Sequence, residues 1–407
     1  MSDQQYPQEP QQPDAEPQPT QQPYSAQAPY PGQATPPQPY AGGPTYGPAQ
    51  YGQQPYPGQP YAPQPYPPAQ YGQQPYPPVL VDPALVTALP VEERSHPFFF
   101  RTPAWRWWKP IVAALVTALI ATVLLTVPPL IGMVLDGTDF SEIANTGELV
   151  LGPWGFLGNN VGLALAIPLA MLMQWAFFGQ RPKWLSSVQG GFRWRWFGRC
   201  VAAVAPIWLV ILGIEYALTG LPPDIHVRPY TVLLVIGILL TTPLQSAGEE
   251  YLMRGLEQRL VASYFKVETV GWVVATIVSS LTFMVLHGAA DPWLNVFYFT
   301  FGAIASWLTW RTGGLEASVA IHVVNNVLSE AFMPWTDFSG MFDRSAGSAD
   351  ASVLINVGVL VIAGGLLTWL ARRGRVVART APGAEDVARA QAAALSAWGA
   401  FPGYRSP

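Results

Sequence analysis

The sequence predicts an all-α fold, a polytopic transmembrane helical bundle of about eight spans with a disordered Pro/Gln/Tyr-rich tail in front of it. Three observations predict it. Charged residues are 11% of the 407 while hydrophobic residues are 50%, with 16 Trp and 18 Phe. That balance suits a chain solvated by lipid, not a soluble globule. Apolar runs of about 20 residues recur from residue 110 onward, each long enough to cross a bilayer as a helix. Residues 1 to about 88, by contrast, hold Pro, Gln, Tyr and Gly with few aliphatics.

The tail comes first. "YGPAQYGQQPYPGQPYAPQPYPPAQYGQQPY" places Tyr at 46, 51, 56, 61, 66, 71 and 76. Proline removes backbone donors, and too little aliphatic surface is present to build a core. Disorder with local polyproline II character is expected over residues 1–90. Its regular tyrosines suit self-association or a Pro-binding partner, and the plainer role is a solvated tether. No charged stretch followed by an apolar run opens the chain, so no cleavable signal peptide is expected.

The spans follow near 110–135, 156–178, 199–219, 230–250, 268–288, 293–311, 315–333 and 352–371. Together they form a bundle domain over 91–379, ahead of a C-terminal tail at 380–407. Lys and Arg set the orientation, because they favour the cytoplasmic side. Arg94, Arg101, Arg106 and Lys109 precede the first span, and Arg181, Lys183, Arg193, Arg195 and Arg199 lie between the second and third. Arg254, Arg259 and Lys266 follow the fourth, Arg311 separates the sixth and seventh, and Arg372, Arg373 and Arg375 follow the last. With alternating spans all of these share one side, and only Arg228 and Arg344 fall on the other. A multi-pass protein of a bacterial cell membrane is expected, with both termini cytoplasmic. "RTPAWRWWKP" supplies a Trp-rich interfacial anchor to the first span.

Several polar residues sit where lipid would make them costly. "SAGEEYLMRG" runs from Ser246 to Gly255, after an apolar run. Residues four apart share a helical face, so Glu250 sits over Arg254 as a structural ion pair. Glu249 is rotated away by about 100° and is left to face a cavity, which is expected to open toward the cytoplasm. The fourth helix should reach about residue 262, which lifts Glu249 into the bundle. His287 ends "SSLTFMVLHGA", with Phe283 one turn before it, and His322 shares a face with Asn326. His96 and His226 fall in polar or loop contexts. The single cysteine, Cys200, rules out an intramolecular disulfide and a Cys-based zinc cluster, and reads as a small apolar filler.

A carboxylate, two imidazoles and a carboxamide make a hydrolytic kit. Glu takes a proton from water, one His shares in polarising it, and the other His and Asn donate to an oxyanion. Glu249, His287 and His322 are also candidate ligands of a divalent metal such as zinc, with a fourth position for water. The helical two-His zinc-peptidase signature and the Gly-x-Ser-x-Gly nucleophile elbow are absent.

These motifs resemble those of the CPBP (CAAX protease and bacteriocin-processing, or ABI) intramembrane proteases. Glu249-Glu250-Tyr251-Leu252-Met253-Arg254 matches EExxxR, Phe283 to His287 matches FxxxH, and His322 with Asn326 matches the third motif. Each motif is weak alone and the ordered trio is strong, covering about 200–335. The resemblance implies an endopeptidase in which Glu249 and His287 activate water while His322 and Asn326 stabilise the oxyanion. Its substrate is a peptide or a membrane protein, and its other partner is the lipid bilayer. No nucleic-acid partner is expected. Two other classes stay open on the residues alone. One is a transporter or proton relay built on the same Glu and His residues; the other is a catalytically idle membrane scaffold that uses the tail for interaction.

Overall fold

The computed structural model of the protein describes residues 80–141, 143, 151–337 and 344–399. The tail expected over 1–90 lies outside the described residues up to position 79. From Leu80 the chain is described, and it soon makes a one-turn helix, Pro83–Val86, capped by the Asp82 carboxylate.

Helices form almost all of the rest. They are α1 (Trp108–Asp136), α2 (Pro153–Ala164), α3 (Ala166–Phe178), α4 (Trp194–Thr219) and α5 (Thr231–Glu250). A π-helical stretch, Tyr251–Glu257, joins α5 to α6 (Gln258–Ala262). Then come α7 (Glu268–Leu286), α8 (Pro292–Thr312), α9 (Glu316–Ser329), α10 (Val353–Arg373) and α11 (Pro382–Gly399). The punctuation is local chemistry. Gly137 ends α1 at φ 72°, and the Asp291 carboxylate caps α8 by accepting from the Trp293 and Leu294 amides.

Among the described residues, six helices are long and apolar enough to cross a membrane: Trp108–Asp136, Pro153–Phe178, Trp194–Thr219, Thr231–Ala262, Glu268–Leu286 and Val353–Arg373. The protein is a multi-pass membrane protein. The count differs from the eight expected, for physical reasons. The sixth and seventh segments are helical, but α8 carries Asn295, Tyr298, Ser306 and Thr309, which lower its hydropathy, and α9 has only 14 residues. Both are inner helices that pack on protein: α9 lies against α4 and α5, and α8 lies against α7, α9 and α10. The expected extension of the fourth helix to about residue 262 is present, since Thr231–Ala262 runs as one 32-residue span.

One end of the bundle is rich in basic side chains and tightly tied. Arg94–Ser95 (β1) pairs antiparallel with Arg379–Thr380 (β2), and Glu268 accepts from Arg94, Ser95 and Arg379. The C-terminal stretch expected as a tail thus begins in a strand and continues as α11, which packs on the Pro83–Val86 turn. Phe98, Phe99 and Phe100 are fully buried at this end. The Arg259 guanidinium stands over the Phe99 and Phe100 rings and donates to Gln174 Oε1 and the Trp184 carbonyl. Arg193 forms a two-pronged pair with Glu316, Nη2 to Oε2 at 2.6 Å and Nε to Oε1 at 3.0 Å, which fixes the start of α9 against the start of α4.

His96 departs from its sequence reading. It is fully buried, with Nε2 2.7 Å from the Leu185 carbonyl oxygen, so it is a packed element of this end rather than a loop residue. Burial, with Arg259 nearby, holds its pKa well below the usual histidine value. Cys200 is buried in the apolar core, as its filler reading expects.

Candidate active site

The site is assembled from α5, α7, α8 and α9. Gly248 sets the position of α5. A Cβ added there would overlap the Leu163 carbonyl oxygen, so only glycine lets α5 lie this close to the C-terminal end of α2. The next two residues are Glu249 and Glu250, pointed in different directions as their 100° offset requires. Immediately after them the backbone widens into the π-helical stretch, where Gly255 packs between Leu185 and Leu315. Stretches of this kind recur at functional sites because they re-aim side chains without ending the helix.

Glu250 is fully buried and has two partners. Arg254 Nη1 donates to its Oε1 at 3.1 Å, and His322 Nδ1 donates to the same oxygen at 2.9 Å. The pairing with Arg254 was legible from the spacing. The bond to His322 was not, because the two residues are far apart in sequence. Arg254 also lies over the Phe283 ring, at 4.6 Å, which places a ring of the second motif against the cation of the first.

Glu249 faces the cavity. Its Oε1 accepts from Gln245 Nε2, and its Oε2 lies 3.5 Å from His322 Nε2. Gln245 Oε1 in turn accepts from Asn326 Nδ2 at 3.1 Å and from Ser246 Oγ at 3.1 Å. Gln245 therefore bridges the carboxylate and the carboxamide. Sequence reasoning missed it, although its position one helical turn before Glu249 was the available signal.

Donor and acceptor roles fix the rings. His287 Nδ1 is 2.7 Å from the Phe283 carbonyl oxygen, which can only accept, so the proton is on Nδ1. Nε2 of the neutral ring is then the acceptor. The ring stacks on Tyr298 at 3.9 Å and packs against Phe283 at 4.4 Å. His287 is the C-cap of α7 rather than an interior position. His322 gives its Nδ1 proton to Glu250, so its Nε2 becomes a donor only when the ring carries both protons.

Glu249, His287, His322 and Asn326 all line one cavity of about 760 Å³, along with Phe283, Tyr298 and Phe301. Glu250 and Arg254 are not in its wall. Glu249, His287 and His322 are not arranged as the expected metal ligands: among the described residues no group of three His, Cys, Asp or Glu side chains is placed to hold a metal.

The end at which the cavity lies is a correction. A mouth on the basic face was expected, since Glu249 follows a span that runs toward that face. The walls instead include Glu215 and Tyr216 near the end of α4, Leu294 near the start of α8, Asn356 near the start of α10, and Arg344. These are the helix ends remote from the basic face, and Glu215 and Asn356 are exposed there. The long fourth span places Glu249 well below its basic end, so the cavity reaches the site from the other side.

Comparison with known proteins follows the same segment. The family model for type II CAAX prenyl endopeptidase Rce1-like proteins matches residues 230–328, which include all three motifs. The chain is 24% identical over 153 residues to the uncharacterized protein YyaK of Bacillus subtilis. The match covers 35% of this chain and 50% of YyaK, so the chain spans about half the length of that curated relative. No solved structure matches. Three ordered motifs on packed helices and the family match over the same residues make segment 230–328 similar to the CAAX protease (CPBP) family.

Proposed function

We propose that the protein is a glutamate-dependent intramembrane endopeptidase whose catalytic groups are Glu249, His287, His322 and Asn326. The observation that supports it is their meeting in one cavity from three separate helices. The similarity of residues 230–328 to the type II CAAX prenyl endopeptidase Rce1-like family supports the reaction class, peptide-bond hydrolysis.

In this reading a water sits between Glu249 and the free Nε2 of His287. Glu249 takes a proton from it, and the hydroxide adds to the scissile carbonyl carbon. The oxygen that gains charge is met by Asn326, whose Nδ2 has a second hydrogen beyond the one given to Gln245. His322 stands beside it through Nε2, 3.5 Å from Glu249 Oε2, on the same side of the cavity. Collapse breaks the C–N bond, and the proton held by Glu249 passes to the leaving amine. Glu250 touches no substrate; it holds His322 in orientation and balances Arg254.

The test is cleavage of an internally quenched peptide pool by purified protein in lipid, read with thermal unfolding of each variant. Glu249→Gln is expected to lower turnover about 10²–10⁴-fold, the range for a lost general base, with an unchanged melting curve. Asn326→Ala is expected to lower kcat about 10²–10³-fold, the range for a lost oxyanion donor. Full activity in Glu249→Gln would remove the endopeptidase reading and leave the relay and scaffold readings standing.

A further inference from the structure

We propose that this cavity is loaded from the extracytoplasmic side of the membrane, so that its substrates are polypeptide segments exposed on that side and not cytosolic chain ends. The inference rests on the endopeptidase reading for the word substrate. Its geometry stands without that reading.

The basic residues are the starting point. In the fold they are tied together at one end, not merely grouped by counting spans. Arg94 and Arg379 share Glu268, Arg101 donates to the Ser263 carbonyl, and Arg259 donates to the Trp184 carbonyl. Arg193 joins the Thr312 and Val377 carbonyls to Glu316. These bonds connect the loops after α3, α6, α8 and α10 to the segment before α1. A face this rich in Arg remains cytoplasmic during insertion.

The opposite face is differently built. His226 and Arg228 bond the Trp335 carbonyl, Ala290 bonds the Arg344 carbonyl, and Asp291 accepts from the Gly347 amide. Arg228 and Arg344 are its basic residues among those described. The cavity is walled at this face by Glu215, Arg344 and Asn356.

The route from the basic face is closed. Between it and Glu249 lie Glu250, Arg254, Gln258 and Arg259, each fully buried. Leu185, Leu308 and Leu315 are also at 0% exposure, and Leu256 is at 1%. A peptide entering from the cytoplasm would have to displace this layer together with the paired charges in it. A peptide entering from the other face meets exposed Glu215 and Asn356 and then the aromatic wall of Phe297, Tyr298 and Phe301.

Orientation and cleavage are measured separately. In a Cys200→Ala background, single cysteines are placed at Asn356, in the cavity wall, and at Gln189, exposed on the basic face. Sealed right-side-out vesicles are treated with a membrane-impermeant maleimide. Asn356→Cys should label and Gln189→Cys should label only after permeabilisation. Cleavage of the quenched peptide pool by protein without these cysteines should occur with right-side-out vesicles. It should be lost in sealed inside-out vesicles and return when they are permeabilised. Labelling of Gln189→Cys with protection of Asn356→Cys, or cleavage confined to inside-out vesicles, overturns the proposal while the peptidase reading stands. Expected labelling with no cleavage in either vesicle or in detergent removes the peptidase reading and, with it, the proposed substrate; the cavity's orientation is then still measured.

Discussion

Glu250 joins two kinds of work in one side chain. It neutralises a buried arginine and orients a histidine of the candidate site, using one oxygen for both. Removing one partner of a buried ion pair leaves the other charge without compensation, at a cost of about 3–5 kcal/mol. Glu250→Gln is therefore expected to lower the melting temperature and to lower activity at temperatures where the protein is still folded. The second effect separates it from a purely structural pair, and an activity profile unchanged below the melt would refute the His322 role. His96 gives a different residue-scale expectation. Its folded pKa lies well below the unfolded value near 6.5. As pH falls through that value, the unfolded chain takes up a proton that the folded chain refuses. Stability contributed by neutral burial is thus present above about pH 6.5 and lost below it, by at most about 1.4 kcal/mol per pH unit. His96→Gln keeps a donor for the Leu185 carbonyl and lacks the titration. Its melting temperature should fall less than that of the parent between pH 7 and pH 5.5. His96 also shows what a sequence hides: nothing in "RSHPFFF" tells that the histidine will be covered by segments nearly 90 residues away.

At the scale of elements, periodicity was a good guide where helices were regular. The i to i+4 relation of Glu250 and Arg254, the packing of Phe283 against His287, and the shared face of His322 and Asn326 were all readable. The π-helical stretch was not. Its widened turn is stabilised by what packs around it, including Leu185 and Leu315 beside Gly255, and no local pattern announces that. The same holds for the two inner helices that are shorter or less apolar than the other spans. Their sequences carry apolar residues for protein neighbours as readily as for lipid, and only packing tells these apart. Gly248 makes the dependence of the site on a helix crossing testable. Gly248→Ala must move α5 away from the Leu163 carbonyl, and overpacking of this kind costs about 1–3 kcal/mol. The expected result is a folded protein with impaired cleavage, because Glu249 shifts with its helix. Unchanged kcat in a folded Gly248→Ala protein would show that the crossing does not set the site.

For the whole molecule, the described bundle begins earlier than the composition change suggested. Val81 donates its amide to Gln391, Thr87 bonds Asp386, and Phe98–Phe100 form part of the core at the basic end. A chain starting at Leu80 is expected to retain full activity toward a small peptide. A chain starting at Thr102 lacks the three buried phenylalanines and β1, and is expected to lose its folded population, measured by monodispersity and thermal melting. Loss of activity in the Leu80 variant would give the preceding residues a catalytic contribution that a tether does not have. The basic face was legible in the sequence because the positions of Lys and Arg relative to spans are one-dimensional information. The side on which the cavity opens was not, because it depends on how deep each helix sits in the bundle.

The widened turn after Glu250 also constrains how the gene can change. A π stretch bonds residue i to i+5, so it holds one residue more than the α-helical turn it replaces. Deleting a residue between Tyr251 and Glu257 would let the backbone return to ordinary α-helical bonding with both flanking helices still in phase. Gln258 and Arg259 would keep their faces, and the Arg259 guanidinium would stay over the Phe99 and Phe100 rings. The change would fall inside the turn, on side chains that the wider coil aims, Arg254 toward Glu250 among them. The extra residue therefore serves the site and not the distant end of the bundle.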